Sequence, residues 1–280
     1  MPLRLITLTI LTLVAFAANS VFARLALVDP ANDPISFTLV RLFAGAVVLF
    51  YVFVRSGKSD PIVFSLKSLV LPLMLFSYAI FFSLAYVMID TGTGALILFA
   101  SVQLTMVLVA ICRGLRLNII EWCGFLLAFS GLIYLLFPGL TAPPLAASIL
   151  MALSGLSWGV YSLVGQGASN PILLTARNFV FLIPIVFILA LIFPLTLTDQ
   201  GYLWAILSGA LTSGLGYVLW YIILKHLLTS TAAILQLSVP AIAAFGGVMF
   251  LNETITLRLV IATAIIFTGI SIKIRGSKNQ

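Results

Sequence analysis

Residues Leu69–Val87 read LVLPLMLFSYAIFFSLAYV, a run of 19 residues without a charge. A helix needs about 20 apolar residues to cross a hydrocarbon core, and this run nearly supplies them. It lacks the alternation of polar and apolar positions that marks a spanning β-strand. Backbone groups in lipid must bond to one another, so a helix is the form left for this stretch. Val260–Ile272 is a second uncharged run of the same character.

The rest of the chain extends the pattern. Of its 280 residues, 62% are hydrophobic and 8% charged. Soluble domains average about 45–50% and about 25%. So few charges cannot cover the surface of a water-soluble fold, and the solvent for most of the chain is lipid. The net charge of +7 then reports basic cytoplasmic loops and not a nucleic-acid partner. Cys112 and Cys123 fit neither a disulfide framework nor a metal spacing, and read as small apolar helix residues. Met1-Pro2-Leu3-Arg4 is followed by an apolar run through Leu27. A signal peptide's apolar region spans about 7–15 residues, so the opening segment is expected to be the first spanning helix.

Ten helices are expected, at about 5–27, 35–54, 66–88, 93–112, 118–137, 144–165, 171–193, 201–224, 230–250 and 257–274. Turn-forming pairs such as Asp29-Pro30, Asp33-Pro34, Pro143-Pro144 and Asn170-Pro171 separate them. With the N-terminus inside, one side receives Arg4, Arg55, Lys58, Lys67, Arg113, Arg116, Lys225, Lys273, Arg275 and Lys278. The other receives Arg24 and Arg258 with Asp29, Asp33, Asp90, Asp199 and Glu253. The positive-inside rule makes the first side, and both termini, cytoplasmic.

Internal similarity recurs at a separation of about 137 residues. Arg41 pairs with Arg177, Tyr86 with Tyr221, Ser101-Val102-Gln103 with Ser238-Val239-Pro240, and Ser130-Gly131 with Thr268-Gly269. Five helices per half is an odd number, so the second half enters the membrane in the opposite sense. The expected fold is an all-α membrane protein of ten transmembrane helices, arranged as two inverted five-helix repeats over residues 1–138 and 139–280. Inverted repeats place a substrate near the midplane, between halves that rock to expose it alternately.

The two five-helix halves, the Arg41 and Arg177 pair, Ser157-Trp158-Gly159 and Leu251-Asn252-Glu253 together resemble the drug/metabolite transporter superfamily. Within it the chain resembles the EamA-type exporters, and more closely the YddG-type exporters of aromatic amino acids. The resemblance covers essentially the whole chain. It departs from the family pattern in the first half, where Asn19-Ser20 stands roughly where the second half has Ser157-Trp158. It implies a bacterial inner-membrane protein that exports small metabolites. A multidrug or other-metabolite exporter of the same fold is the alternative, followed by a channel or a membrane enzyme.

Candidate site residues follow from helix faces. Tyr78, Phe82 and Tyr86 lie at i, i+4 and i+8, as do Ser213, Tyr217 and Tyr221, with Trp220 alongside and Trp158 and Tyr161 on the sixth helix. They form either an aromatic substrate cavity or helix packing and an interfacial belt. Asn19, Gln103 and Gln236 either bond substrate or join helices at about 0.6 kcal/mol each. Gly155 with Gly159, and Ala243 with Gly247, read as close helix packing. Arg41 and Arg177 fall about 10 Å inside their helices. They are assigned to two gates in preference to substrate binding, with snorkelling to the surfaces as the other reading. His226 reads as an interfacial residue.

No Asp or Glu falls mid-helix to hold a cationic drug, Na⁺ or a transported proton. No cluster of buried cations awaits a phosphate. A single histidine and no H-E-x-x-H or Ser/His/Asp set leave no catalytic site, metal or cofactor to expect. What remains is a neutral or zwitterionic solute, most simply an aromatic or other large neutral amino acid. Oligomeric state is open, and a monomer is compatible with everything above.

Overall fold

A computed structural model of the chain describes residues 3–55, 69–112, 114, 117–137, 139, 142–166, 168, 170–226, 235–236 and 238–277. The loop charges Lys58, Lys67, Arg113 and Arg116, the repeat boundary at Pro138 and the expected first turn of the ninth helix (230–234) lie outside the described residues.

The described residues are helical throughout their regular structure: α1 (Leu3–Leu27), α2 (Pro34–Arg55), α3 (Val70–Tyr86), α4 (Thr91–Cys112), α5 (Ile119–Leu136) and α6 (Leu145–Gly165). After these come α7 (Pro171–Val180), α8 (Ile183–Ile192), α9 (Asp199–Leu207), a π-helical segment π1 (Ser208–Leu215), α10 (Gly216–Leu224), α11 (Ser238–Leu251) and α12 (Leu257–Ser277). Among the described residues, eight helices are long and apolar enough to cross a membrane, with α7–α8 and α9–π1–α10 each forming one of them. The other two expected spans correspond to shorter apolar helices, α3 with 17 residues and α11 with 14. Outward-facing side chains are large and apolar, Leu191 at 83% exposure and Phe250 at 68% among them, as lipid contact requires.

The turn chemistry sets the helix starts. Asp33 accepts from the Ser36 N–H at 2.7 Å ahead of Pro34, which opens α2. Asn118 and Glu121 form a reciprocal capping box on α5, Asn170 caps α7 and Thr198 caps α9. Two interruptions depart from the expected straight helices. The seventh span breaks at Phe181-Leu182, because Pro184 has no N–H to offer Val180 and its ring crowds that carbonyl. The eighth widens into π1 over Ser208–Leu215, where hydroxyl and glycine residues form the ordinary helix poorly.

Packing is led by α5 against α12, α3 and α4 against α6, and α2 against π1. At the first of these the backbones nearly touch: a Cβ on Gly124 would strike Gly269 and Lys273, and one on Gly269 would strike Gly124 and Ala128. Gly209 of π1 meets the carbonyl oxygen of Arg41 in the same way. Gly155 packs on Leu98 and Ser101 of α4 and Gly159 on Thr105, which makes them packing residues.

Candidate substrate site

Arg41 is the organising charge. It lies on α2, 1% exposed, so it does not snorkel to a surface. Its Nε donates to Ser213 Oγ at 3.1 Å, and its Nη2 donates to the hydroxyls of Tyr78 at 3.1 Å and Tyr217 at 3.2 Å. The guanidinium carbon stands 5.3 Å from the Tyr78 ring centre and 4.8 Å from that of Phe82. The widened turn of π1 brings Ser213 to Nε, while Gly209 lets π1 approach the α2 backbone.

Asn19 extends the network. Its Nδ2 donates to Tyr78 at 2.9 Å, and its Oδ1 accepts from Ser208 at 2.7 Å and Thr212 at 3.0 Å. A continuous polar chain therefore runs from π1 through Asn19 and Tyr78 to Arg41, then back to Ser213 and Tyr217. Of the two readings open for Asn19, the observed contacts are those of a residue joining helices.

Aromatic rings surround this chain. Trp158 is central, with ring centres 4.6 Å from Tyr217, 5.1 Å from Tyr78 and 5.3 Å from Tyr161. Phe16 completes the group at 5.8 Å from Trp158, 6.1 Å from Tyr217 and 5.6 Å from Trp220. Sequence reasoning missed Phe16, although it precedes Asn19 by three positions and so shares its helix face. Tyr161 accepts from Asn178 at 3.1 Å, and Tyr221 donates to the Tyr161 carbonyl at 3.2 Å. Tyr86 sits at the far end, stacked edge-on against Phe82 at 4.7 Å and donating to the Thr91 carbonyl. Gln103 and Gln236 are buried, and like Tyr86, Tyr161, Trp220 and Tyr221 they do not border the free space at the centre of the rings. Arg177, half-buried on α7, leaves its Nε without a hydrogen-bond partner among the described residues.

The free space is small. Bounded by Phe16, Asn19, Ser20, Tyr78, Phe82, Trp158 and Tyr217 with Leu98 and Phe99, it measures about 10 Å³, room for one water at most. The rings pack as a tight cluster, and anything larger than a water enters only if rings such as Tyr78 and Tyr217 move apart. A larger cleft of about 350 Å³ lies among Leu39, Phe43, Val186, Phe187 and Ile206, but its nearly apolar wall gives a polar solute no orientation.

A second polar cluster ties the end of the bundle where α1 stops and α4 starts. Asn252 takes the left-handed conformation (φ 54°) after α11, and the Glu253 N–H returns to the Gly247 carbonyl at 3.2 Å. That turn aims the Glu253 carboxylate at α4, where it accepts from the Thr91 N–H at 2.9 Å and the Thr91 hydroxyl at 3.0 Å. Arg24 pairs with Glu253 at 3.4 Å and with Asp90 at 3.7 Å, while donating to the Tyr86 and Val87 carbonyls. Burial pushes the Glu253 carboxyl above its ordinary range, and the Thr91 hydrogen bonds, partly offsetting this, pull it down. Beside it, Thr198 N–H donates to Asn32 at 2.6 Å and Thr196 N–H to Ser36 at 3.0 Å, joining the α1–α2 and α8–α9 loops.

The long apolar helices define a multi-pass membrane protein. The comparisons with known proteins specify the class. Residues 145–274 match the model of the EamA-like transporter family. The uncharacterized protein PA1977 of Pseudomonas aeruginosa is 44% identical over 272 residues, covering 96% of this chain and 94% of that one. The uncharacterized transporter YoaV of Bacillus subtilis is 24% identical over 85% of this chain and 86% of its own. An uncharacterized transporter of Archaeoglobus fulgidus is 26% identical over 87% of this chain and 89% of its own. A solved crystal structure shares the fold with a TM-score of 0.64 at 18% identity, covering 94% of this chain and 97% of that one. The second half of the chain matches the EamA-like transporter family, and the chain as a whole is similar to proteins named as transporters, which supports a membrane transporter.

Proposed function

We propose that this transporter carries aromatic and other large neutral amino acids out of the cytoplasm, by alternating access across a bacterial inner membrane with both termini cytoplasmic. The observation that carries the reading is the ring cluster of Phe16, Tyr78, Trp158 and Tyr217 around a short buried polar chain. Aromatic walls suit a large apolar side chain, and the few convergent polar groups orient its backbone atoms. The positions assigned to substrate contact are Tyr78, Phe82, Tyr86, Trp158, Tyr161, Tyr217, Trp220 and Tyr221. Arg177 is assigned to a gate, and Arg41, held against Tyr78, Phe82 and Tyr217, is assigned to the site.

Two inverted repeats remain the proposed architecture. In such a pair, counterpart helices meet across the pseudo-two-fold axis. The packing of α5 on α12, α2 on α7 and α4 on α11 supports that arrangement. The Arg24–Glu253 and Asn32–Thr198 contacts then form the external seal. The test is counterflow in proteoliposomes. Vesicles preloaded with phenylalanine should accumulate labelled phenylalanine transiently, and a panel should rank aromatic and large neutral amino acids above sugars and quaternary ammonium drugs. Accumulation driven by the cationic drugs, with phenylalanine ignored, would overturn the substrate class.

A further inference from the structure

Arg41 carries a charge that the protein leaves unanswered. It is buried to 1% exposure, and its hydrogen-bond partners among the described residues, Ser213, Tyr78 and Tyr217, are neutral hydroxyls. Among the described residues its Nη1 has no hydrogen-bond partner, and the ion pairs there belong to Arg24. A guanidinium away from water is stabilised by a planar anion that accepts two parallel hydrogen bonds, which is the geometry of a carboxylate. Tyr78, Tyr217 and Phe82, which hold the guanidinium, also wall the free space. Parting the two tyrosines to admit a ligand therefore opens the route to the guanidinium edge.

An ammonium finds no such counterpart. The buried carboxylate Glu121 is committed at the start of α5, where it accepts from the Asn118 N–H at 2.9 Å. Glu253 is engaged by Thr91 and Arg24 in the polar seal. Asn19 Oδ1, the amide acceptor of the network, already takes hydrogen bonds from Ser208 and Thr212. Among the described residues the site has one cation and no anion.

We infer that Arg41 anchors a carboxylate and that the site reads this group without reading an ammonium, so apolar monocarboxylates that lack an amino group are ligands. The inference rests on the proposed substrate site and extends it from amino acids to organic acid anions. A bound monocarboxylate makes the buried pair neutral, whereas a bound amine places a second cation beside Arg41.

The test measures binding to the full-length chain in liposomes with matched probes: 3-phenylpropionate against phenethylamine, and hexanoate against hexylamine. Each acid should bind about 10- to 100-fold more tightly than its amine, the ratio that a charged hydrogen-bond pair supplies. Arg41→Lys should keep the preference for the acids in reduced form, and Arg41→Gln should abolish it. Should neither variant fold, the acid-to-amine ratio of the unaltered protein decides alone. Amines binding as well as their acids, or acids failing to bind, would overturn the inference. If phenylalanine is transported while amines bind as well as acids, the anchor fails and the amino-acid reading stands. If the acids bind and phenylalanine is not transported, the anchor stands and the amino-acid reading fails.

Discussion

Replacing Asn19 with alanine separates a residue that holds the site together from one that touches substrate. The side chain makes three contacts, to Tyr78 at 2.9 Å, Ser208 at 2.7 Å and Thr212 at 3.0 Å. Thr212 has a second acceptor, the Ser208 carbonyl at 2.7 Å, and keeps that bond when Asn19 is gone. Two bonds are therefore lost outright. Buried side-chain hydrogen bonds between membrane helices average about 0.6 kcal/mol and reach about 1.7, so the loss is about 1–3 kcal/mol. For a chain of this size that lowers the melting temperature of purified protein by about 2–10 °C. Ser208→Ala removes one of the same bonds, so the double variant should cost little more than Asn19→Ala alone. Transport falls in Asn19→Ala because Tyr78, and through it Arg41, is no longer held. An unchanged melting temperature with a raised half-saturation for phenylalanine would refute this, and would return Asn19 to direct substrate contact.

Gly209→Ala forces a methyl group into the Arg41 carbonyl and should destabilise the protein by about 1–3 kcal/mol, read by thermal unfolding; a neutral result would refute the close approach of π1 to α2. Glu253 titrates at a raised value where it is buried in the seal and near its ordinary value of 4.5 where water reaches it. The sealed arrangement therefore binds the proton more tightly, so sealing strengthens as the pH at that end of the bundle falls through the raised value and levels off below 4.5. Reactivity of a cysteine placed at Tyr86, taken at each pH relative to the same cysteine in Glu253→Gln so that thiol ionisation cancels, should fall along that curve; the opposite slope would refute the burial argument. In a background with Cys112 and Cys123 replaced by serine, a cysteine at exposed Asp199 should label from outside intact cells and one at exposed Arg55 should not. The reverse pattern would invert the orientation.

Much of the fold was legible because lipid imposes a simple rule on backbone hydrogen bonds, and long uncharged runs such as Leu69–Val87 satisfy it in one way. The caps at Asp33, Asn118, Asn170 and Thr198 were equally open to reading, since each precedes its helix with an acceptor side chain. The tyrosine faces were visible from four-residue spacing, and the structure gathers Tyr78, Trp158, Tyr161 and Tyr217 around one point. Arg41 was noticed and assigned to a gate from its depth along α2, which says nothing of the hydroxyls and rings that cross beside it. Its partner Ser213 reaches it through the π-helical turn, which changes the helix face after Ser208 and which a straight-helix projection cannot follow. The run Ser208-Gly209-Ala210-Leu211-Thr212-Ser213-Gly214 was the available signal, poor in residues that favour the ordinary helix. Glu253 was counted as a loop charge, yet it seals two helix ends because Asn252 adopts a left-handed turn.

The most direct measurement is the half-saturation of transport for phenylalanine and for threonine in the unaltered protein and in Trp158→Ala, with melting temperature recorded for both. Trp158 is 3% exposed and packs on Phe16, Tyr78, Tyr161 and Tyr217. If the rings take up the substrate side chain, its loss removes about 1.5–3 kcal/mol of contact from phenylalanine, raising half-saturation about 10- to 150-fold. Threonine, reaching less of the wall, should lose much less. Equal losses for both substrates, in step with a lowered melting temperature, would contradict an aromatic substrate site and leave these rings as the packing between helices.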